Sequence, residues 1–256
     1  MKKTQNNIRD NSRIFEKYLN TGKIQLLVEE DKDFLFKLYN SANQVYFDQE
    51  YPDIIINSEF NNLIFGIEHF EFNSSKETKK GSFLKAEAAQ KKSEHNIKVQ
   101  NIIKEDKERI NTITSHDRLI VNPTIEFYYN SFNRNLNNHI AKITAYKTEI
   151  GKVFSVKEEK MKLGFLIEDT SYLGTIKKDG DLLYPFMIKE IVSKILNIKK
   201  LNFVIFADYY TDSAFFITLT GLTAFIERNE LLSLDSIELA DINPNQVSAT
   251  VVIRYE

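Results

Sequence analysis

The chain has 256 residues, and 34 Lys and Arg against 36 Asp and Glu leave a net charge of −2. Folding at this size buries about 70% or more of the surface of the extended chain, so a full core needs no disulfide or metal staple. Cys is absent, which excludes disulfides, a thiol nucleophile and zinc knuckles; the near-balanced charge excludes a global positive field that draws the protein onto nucleic acid.

Residues 1–7 are basic, but no apolar stretch of a secretory signal follows them. Nor does any window reach the run of about eighteen apolar residues that a membrane span needs. The expected location is cytoplasmic, with no membrane association. Ile8, Ile14, Phe15, Tyr18 and Leu19 recur at mostly helical spacing and predict a first helix over 8–19. Residues 23–28 suit a short strand, and 34–39 suit either a helix or a strand. Two β-rich runs, 54–56 and 63–72, flank a polar stretch, 57–62, whose paired Asn residues favour a turn; this predicts a hairpin. Residues 82–110 lack Pro and Gly and are rich in Lys, Ala, Glu and Gln, so a long helix is expected there. Residues 119–129 are expected as loop or strand, and the Asn-rich 130–138 as loop.

The last part has the clearest pattern. The runs 163–167, 203–207 and 214–219 are apolar strands of the buried type, and Phe186, Ile188, Ile191, Val192, Ile195 and Leu196 recur at helical spacing behind Pro185. Strand, helix, strand, strand predicts an α/β protein with a mixed central sheet flanked by helices. The expected organisation is one domain, 1–256, with a helical or loop insertion at about 111–160. Charge is unevenly placed: residues 76–107 carry nine Lys against five acids, and residues 201–256 carry two Arg against eight acids. The basic stretch is either a surface for an anionic ligand or a solvated Lys-rich helix.

The residues with the most chemical content are Asp53, which opens one strand of the hairpin, and Glu68, inside the other. Adjacent strands can bring these carboxylates together. Two buried carboxylates repel unless a cation joins them, and Mg²⁺ takes one or two carboxylates and completes its shell with water and phosphate. Strand alternation puts His69 and Glu71 on one face and Glu68, Phe70 and Phe72 on the other. A carboxylate sharing a face with Phe points either to a site that satisfies the charge or to an edge strand using inward charge to block pairing.

The order helix, strand, Pro52-Asp53 strand, Glu68 strand and Lys-rich helix resembles the PD-(D/E)xK nuclease superfamily over residues 8–110. The resemblance implies a restriction-endonuclease-like core and a metal-dependent nuclease acting on DNA or RNA phosphodiesters. It implies Mg²⁺ or Mn²⁺ held by Asp53, Glu68 and the backbone carbonyl of His69. The family's Lys stands two residues after the Glu, where this chain has Phe70. Some members carry it on the following helix instead; Lys79, Lys80 and Lys85 stand there, and Lys85 is assigned to orient the attacking water. An acid on the first helix, common in the family, falls nearest to Glu16.

Lys76, Lys79, Lys80, Lys91 and Lys92 are expected to meet nucleic-acid phosphates and make binding salt-dependent. His69 with Glu71 is a second metal-binding candidate, on the other face of the strand. Glu168, Asp169 and Asp208 end buried-type strands, where α/β folds place ligands, although they suit turn caps equally. Tyr128, Tyr129 and Phe132 near Arg134 suit either base stacking or a core. The rival to the nuclease is a non-catalytic binding protein whose partner is nucleic acid or protein, such as a regulator in a mobile-element or phage-defence system. Phe70 and the near-neutral total charge favour that rival.

Overall fold

The computed structural model describes residues 11–19, 24–39, 44–47, 52–58, 62–73, 97, 112–117, 124–171, 176–178, 181–209, 211–239 and 247–252. Twelve strands lie among the described residues: β1 (Ile24–Leu26), β2 (Gln44–Tyr46), β3 (Ile54–Ser58), β4 (Leu63–Phe72), β5 (Thr112–Asp117), β6 (Met161–Asp169), β7 (Ile176–Lys178), β8 (Asp181–Leu183), β9 (Phe203–Asp208), β10 (Ala214–Thr218), β11 (Glu238–Leu239) and β12 (Val247–Val252). Five α-helices accompany them: α1 (Lys32–Tyr39), α2 (Ile125–Ile140), α3 (Ile143–Phe154), α4 (Lys189–Leu196) and α5 (Leu219–Arg228). Residues 11–19 are helical and finish in a π-helical turn, Phe15–Leu19.

Seven strands form one mixed sheet in the order β1-β10-β9-β6-β4-β3-β2. β3 and β4 are the expected hairpin, antiparallel, with Ile54 opposite Ile67. β4, β6 and β9 run parallel side by side, and α4 lies between β6 and β9 in the chain. Their buried positions follow one another almost without a break, the pattern of strands covered on both faces. The α/β class with a seven-stranded mixed sheet and flanking helices therefore holds.

One face packs against residues 11–19 and α1: Tyr18, Leu19, Leu35 and Leu38 meet Ile54, Ile56, Phe65, Ile67, Leu166 and Ile205. The other face packs against α2, α3, α4 and α5: Tyr128, Phe132, Leu136, Tyr146, Ile191, Ile195 and Leu222 meet Phe70, Phe72, Phe165, Ile167 and Phe206. Each such fully buried apolar side chain contributes about 1.5–3 kcal/mol.

One expectation changes. Residues 125–138, read as loop or strand, are helix: Tyr128, Phe132 and Leu136 recur every fourth position and are fully buried, and Thr124 caps the helix by accepting from the Phe127 N–H at 3.1 Å. Burial of this stripe outweighs the weak helix propensity of its Asn residues. Helices α2 and α3, within the stretch read as an insertion, thus cover one face of the sheet. Residues 34–39 resolve as helix. The long helix expected over 82–110 lies outside the described residues except for Ile97. No described helix is long and apolar enough to cross a membrane.

Three close approaches lock the layers. A Cβ on Gly164 of β6 would lie 2.2 Å from the Phe203 ring. One on Gly66 of β4 would lie 2.6 Å from Ile150 and 2.9 Å from Pro52. One on Gly221 would lie 2.2 Å from the buried Asp31 carboxylate. That carboxylate accepts from the Thr218 N–H at 2.7 Å and the Thr218 hydroxyl at 2.6 Å, while Thr218 Oγ1 accepts from the Gly221 N–H at 2.9 Å. Asp31 thus anchors the N-terminus of α5 and offsets its unpaired N–H groups.

Asp169, at the end of β6, accepts from the Tyr128 hydroxyl at 2.8 Å and from the Ser171 N–H at 2.8 Å. Burial pushes its carboxyl up to about 6, with the Asp208 charge adding to the effect and the donated hydrogen bonds opposing it.

Replacing Asp31 with Ala leaves the Thr218 donors unpaired; we expect a loss of about 2–4 kcal/mol, read as a lower urea midpoint with an unchanged slope. For Asp169 the protonated form is favoured in the fold. Its contribution to stability is complete below the ordinary carboxyl value of 3.8 and is lost as pH rises through about 6. Asp169→Asn should remove this dependence. Its stability relative to the wild type should climb between pH 4 and 7 by up to about 3 kcal/mol in urea titrations with EDTA; a difference independent of pH would contradict the assignment.

Candidate metal centre

The parallel strands β4 and β6 end side by side, with Glu71 opposite Glu168 and Phe72 opposite Asp169. Alternation along β4 sends His69 and Glu71 to the face covered by residues 11–19, and Glu168 of β6 stands on the same face. One ligand atom from each of His69, Glu71 and Glu168 lies within 4.8 Å of the others. These three residues, with Asn11, Arg13, Lys17, Asp53 and Tyr209, line a cavity of about 370 Å³. The cavity opens at the carboxyl ends of parallel strands, where α/β sheets commonly present ligand sites.

Glu168 is the best-held group. Its side chain is 5% exposed. Oε2 lies 3.0 Å from His69 Nε2, Oε1 accepts from the Tyr18 hydroxyl, and Lys17 Nζ stands 3.6 Å away. Burial pushes this carboxyl up, but the His69 and Tyr18 hydrogen bonds and the positive groups at His69 and Lys17 more than offset it, leaving it below the ordinary range. The Tyr18 hydroxyl moves the opposite way: burial first, then its bond to Glu168, raise it far above an ordinary phenol. Lys17 also donates to the Tyr209 carbonyl at 3.0 Å, pairs with Asp212 at 3.2 Å, and rests 4.0 Å from the Tyr209 ring centre.

Asp53 reaches the cavity from the start of the hairpin. Its Oδ2 accepts from the His69 N–H at 2.9 Å, and the Asn11 side chain donates to its carbonyl at 3.2 Å and to Oδ1 at 3.4 Å. Burial, then the charge of Glu68, raises its carboxyl above the ordinary value, with the His69 N–H working against both.

Glu68 does not join this cavity. Even-numbered positions of β4 face α2 and α3, so Glu68 lies on the other side of the strand from His69 and Glu71, while its charge still acts on Asp53. There Glu68 Oε1 accepts from the Tyr146 hydroxyl at 2.9 Å and lies 3.0 Å from His139 Nδ1, whose ring stacks on Phe70 at 4.8 Å. Its Oε2 accepts from the Asp53 N–H at 3.3 Å. Glu68 is a buried carboxylate satisfied by protein donors, and it braces Asp53 through the backbone. Phe70 is core, 5% exposed.

Other assignments separate in the same way. Glu16 is exposed, and the first helix offers Asn11 and Lys17 to the cavity instead. Asp169 and Asp208 cap turns, Asp208 by accepting from the Thr211 N–H at 2.9 Å. Tyr128 and Phe132 are core. Lys76, Lys79, Lys80, Lys85, Lys91 and Lys92 lie outside the described residues. Tyr18 and Lys17 carried no signal in the sequence beyond helical spacing. Glu168 was marked by its place at the end of a buried strand.

Because Glu68 depends on its donors, Tyr146→Phe should lower stability by about 1–3 kcal/mol, while Tyr129→Phe, outside the network, should leave the urea midpoint nearly unchanged.

Comparison with known protein families, with curated proteins and with solved structures finds no match for this chain.

Proposed function

We propose that the protein is a divalent-metal-dependent nuclease whose ion is held by His69, Glu71 and Glu168. The observation that carries this reading is the convergence of those three ligand atoms within 4.8 Å at a cavity that also contains Asp53, Lys17 and Arg13. An imidazole with two carboxylates suits Mn²⁺, which accepts nitrogen as well as oxygen ligands; Mg²⁺ prefers oxygen alone. Holding the ion through His69 would need a ring nitrogen free of its proton, and the ion would supply a lowered pKa for a bound water and positive charge against the phosphoryl group. Asp53, which lines the cavity with its carboxyl raised by burial, would be the group to accept a proton from such a water. Arg13 and Lys17 supply positive charge for the phosphate, and the Lys-rich stretch 76–92 would extend the contact along the strand.

A non-catalytic binding protein of the same fold, recognising nucleic acid or another protein, is the second reading. The buried Phe70 favours it, since the family's Lys is not replaced in place.

Calorimetry with Mn²⁺ and a cleavage assay on labelled DNA and RNA separate the possibilities. We expect Mn²⁺ binding that weakens at least about tenfold in His69→Ala and Glu168→Gln but persists in Glu68→Gln. Cutting should require Mn²⁺ or Mg²⁺, stop with EDTA, and be lost in Glu168→Gln. Salt-sensitive binding without cutting selects the second reading. Absence of any divalent-ion affinity removes the metal centre.

A further inference from the structure

A second cavity, of about 470 Å³, opens on the other helical layer between the α2–α3 junction and the exit of α4. It shares no lining residue with the metal centre. Apolar and cationic side chains line it together: Ile143 and Ile198 are buried and Ile140 is half-buried, while Lys194 of α4 and Lys199 and Lys200 of the turn after it are its cationic residues. No acidic residue lines the cavity among the described residues. Lys194 donates to a neutral group, the Asn133 side-chain oxygen. Glu158, paired with Lys147 at 3.1 Å, also feels the charge of Lys200.

Lys200 also sits in the left-handed region, at φ 71°. Gly or Asn is the usual residue there, and Lys200, which is exposed, lines the cavity with Lys194 and Lys199.

We propose that this cavity binds a nucleoside diphosphate, with its phosphates against Lys194, Lys199 and Lys200 and its planar base on Ile140, Ile143 and Ile198. Lysines meet phosphates through charge-assisted hydrogen bonds, and the volume falls in the range of small-ligand pockets. Asn137 and Asn197 also line the cavity; their Nδ2 groups donate to Asn133 and to the Ser193 carbonyl, and their side-chain oxygens can accept from sugar hydroxyls. A polynucleotide would call for a basic track, whereas here three lysines and three isoleucines line one cavity. The site is independent of the proposed nuclease centre and stands or falls separately from it.

Calorimetry on the full chain in EDTA, which removes metal-mediated binding elsewhere, provides the test. The probes are ADP, GDP, CDP and UDP, with inorganic pyrophosphate and adenosine as the separate halves of the ligand. We expect saturable binding of at least one diphosphate, tighter than either half. The double variant Lys199→Glu/Lys200→Glu should weaken it by about tenfold or more. Lys152→Glu/Lys157→Glu, the same charge change at exposed positions outside the cavity, should leave it unchanged; circular dichroism checks that both variants fold. The proposal is overturned if no diphosphate binds, if both variants weaken binding alike, or if pyrophosphate binds as tightly as the nucleotides.

Discussion

Glu168 sits where three parts of the structure meet, and the candidate centre depends on keeping its carboxylate ionised while it is buried. An unpaired carboxylate in such surroundings would take up a proton or force the strands apart. Here β4 supplies His69, and the helical segment 11–19 supplies Tyr18 and Lys17. The same contacts that hold the charge fasten that segment over the sheet. Packing of the layer and availability of an anionic ligand therefore have one physical origin. A cation at this point would compete with His69 and Lys17 for oxygen atoms that already have partners, so the surrounding donors tune how readily it enters.

β4 divides its polar side chains by the two-residue period of a strand. His69 and Glu71 go to the open side. Glu68 goes inward, beside Phe70 and Phe72, and takes its donors from Tyr146 and His139. The faces communicate through the backbone: Glu68 receives the Asp53 N–H, and Asp53 receives the His69 N–H. A buried carboxylate on one side of the sheet thus fixes the approach of another that lies on the other side.

Much of this architecture was legible in the sequence, because its signals are local. The hairpin 54–72 followed from two β-rich runs around an Asn-bearing turn, β6, β9 and β10 followed from apolar runs of the buried type, and α4 followed from helical spacing behind Pro185. Alternation assigned His69 and Glu71 to a shared face correctly. Three things were hidden. Helix α2 was masked by Asn residues of poor propensity, since its driving force is a stripe of Tyr128, Phe132 and Leu136 against a sheet formed elsewhere in the chain. Missing that helix also concealed His139, and no local signal placed Tyr146 of α3 beside Glu68, so Glu68 lacked visible partners in the sequence. The meeting of Lys17, Tyr18 and Glu168 joins residues some 150 positions apart, a distance that no spacing rule reaches.

Gly66 carries a consequence for how the molecule can vary. Pro52 and Ile150 fill the space that a side chain at 66 would occupy, and Pro52 immediately precedes Asp53. Even the smallest added group there would press on the ring and shift the aspartate next to it, although position 66 itself faces away from the cavity. Descendants of this chain are therefore free to enlarge residue 66 only alongside a smaller partner at 52 or 150, so that apparently silent drift on the covered side of the sheet is coupled to the chemistry on the open one.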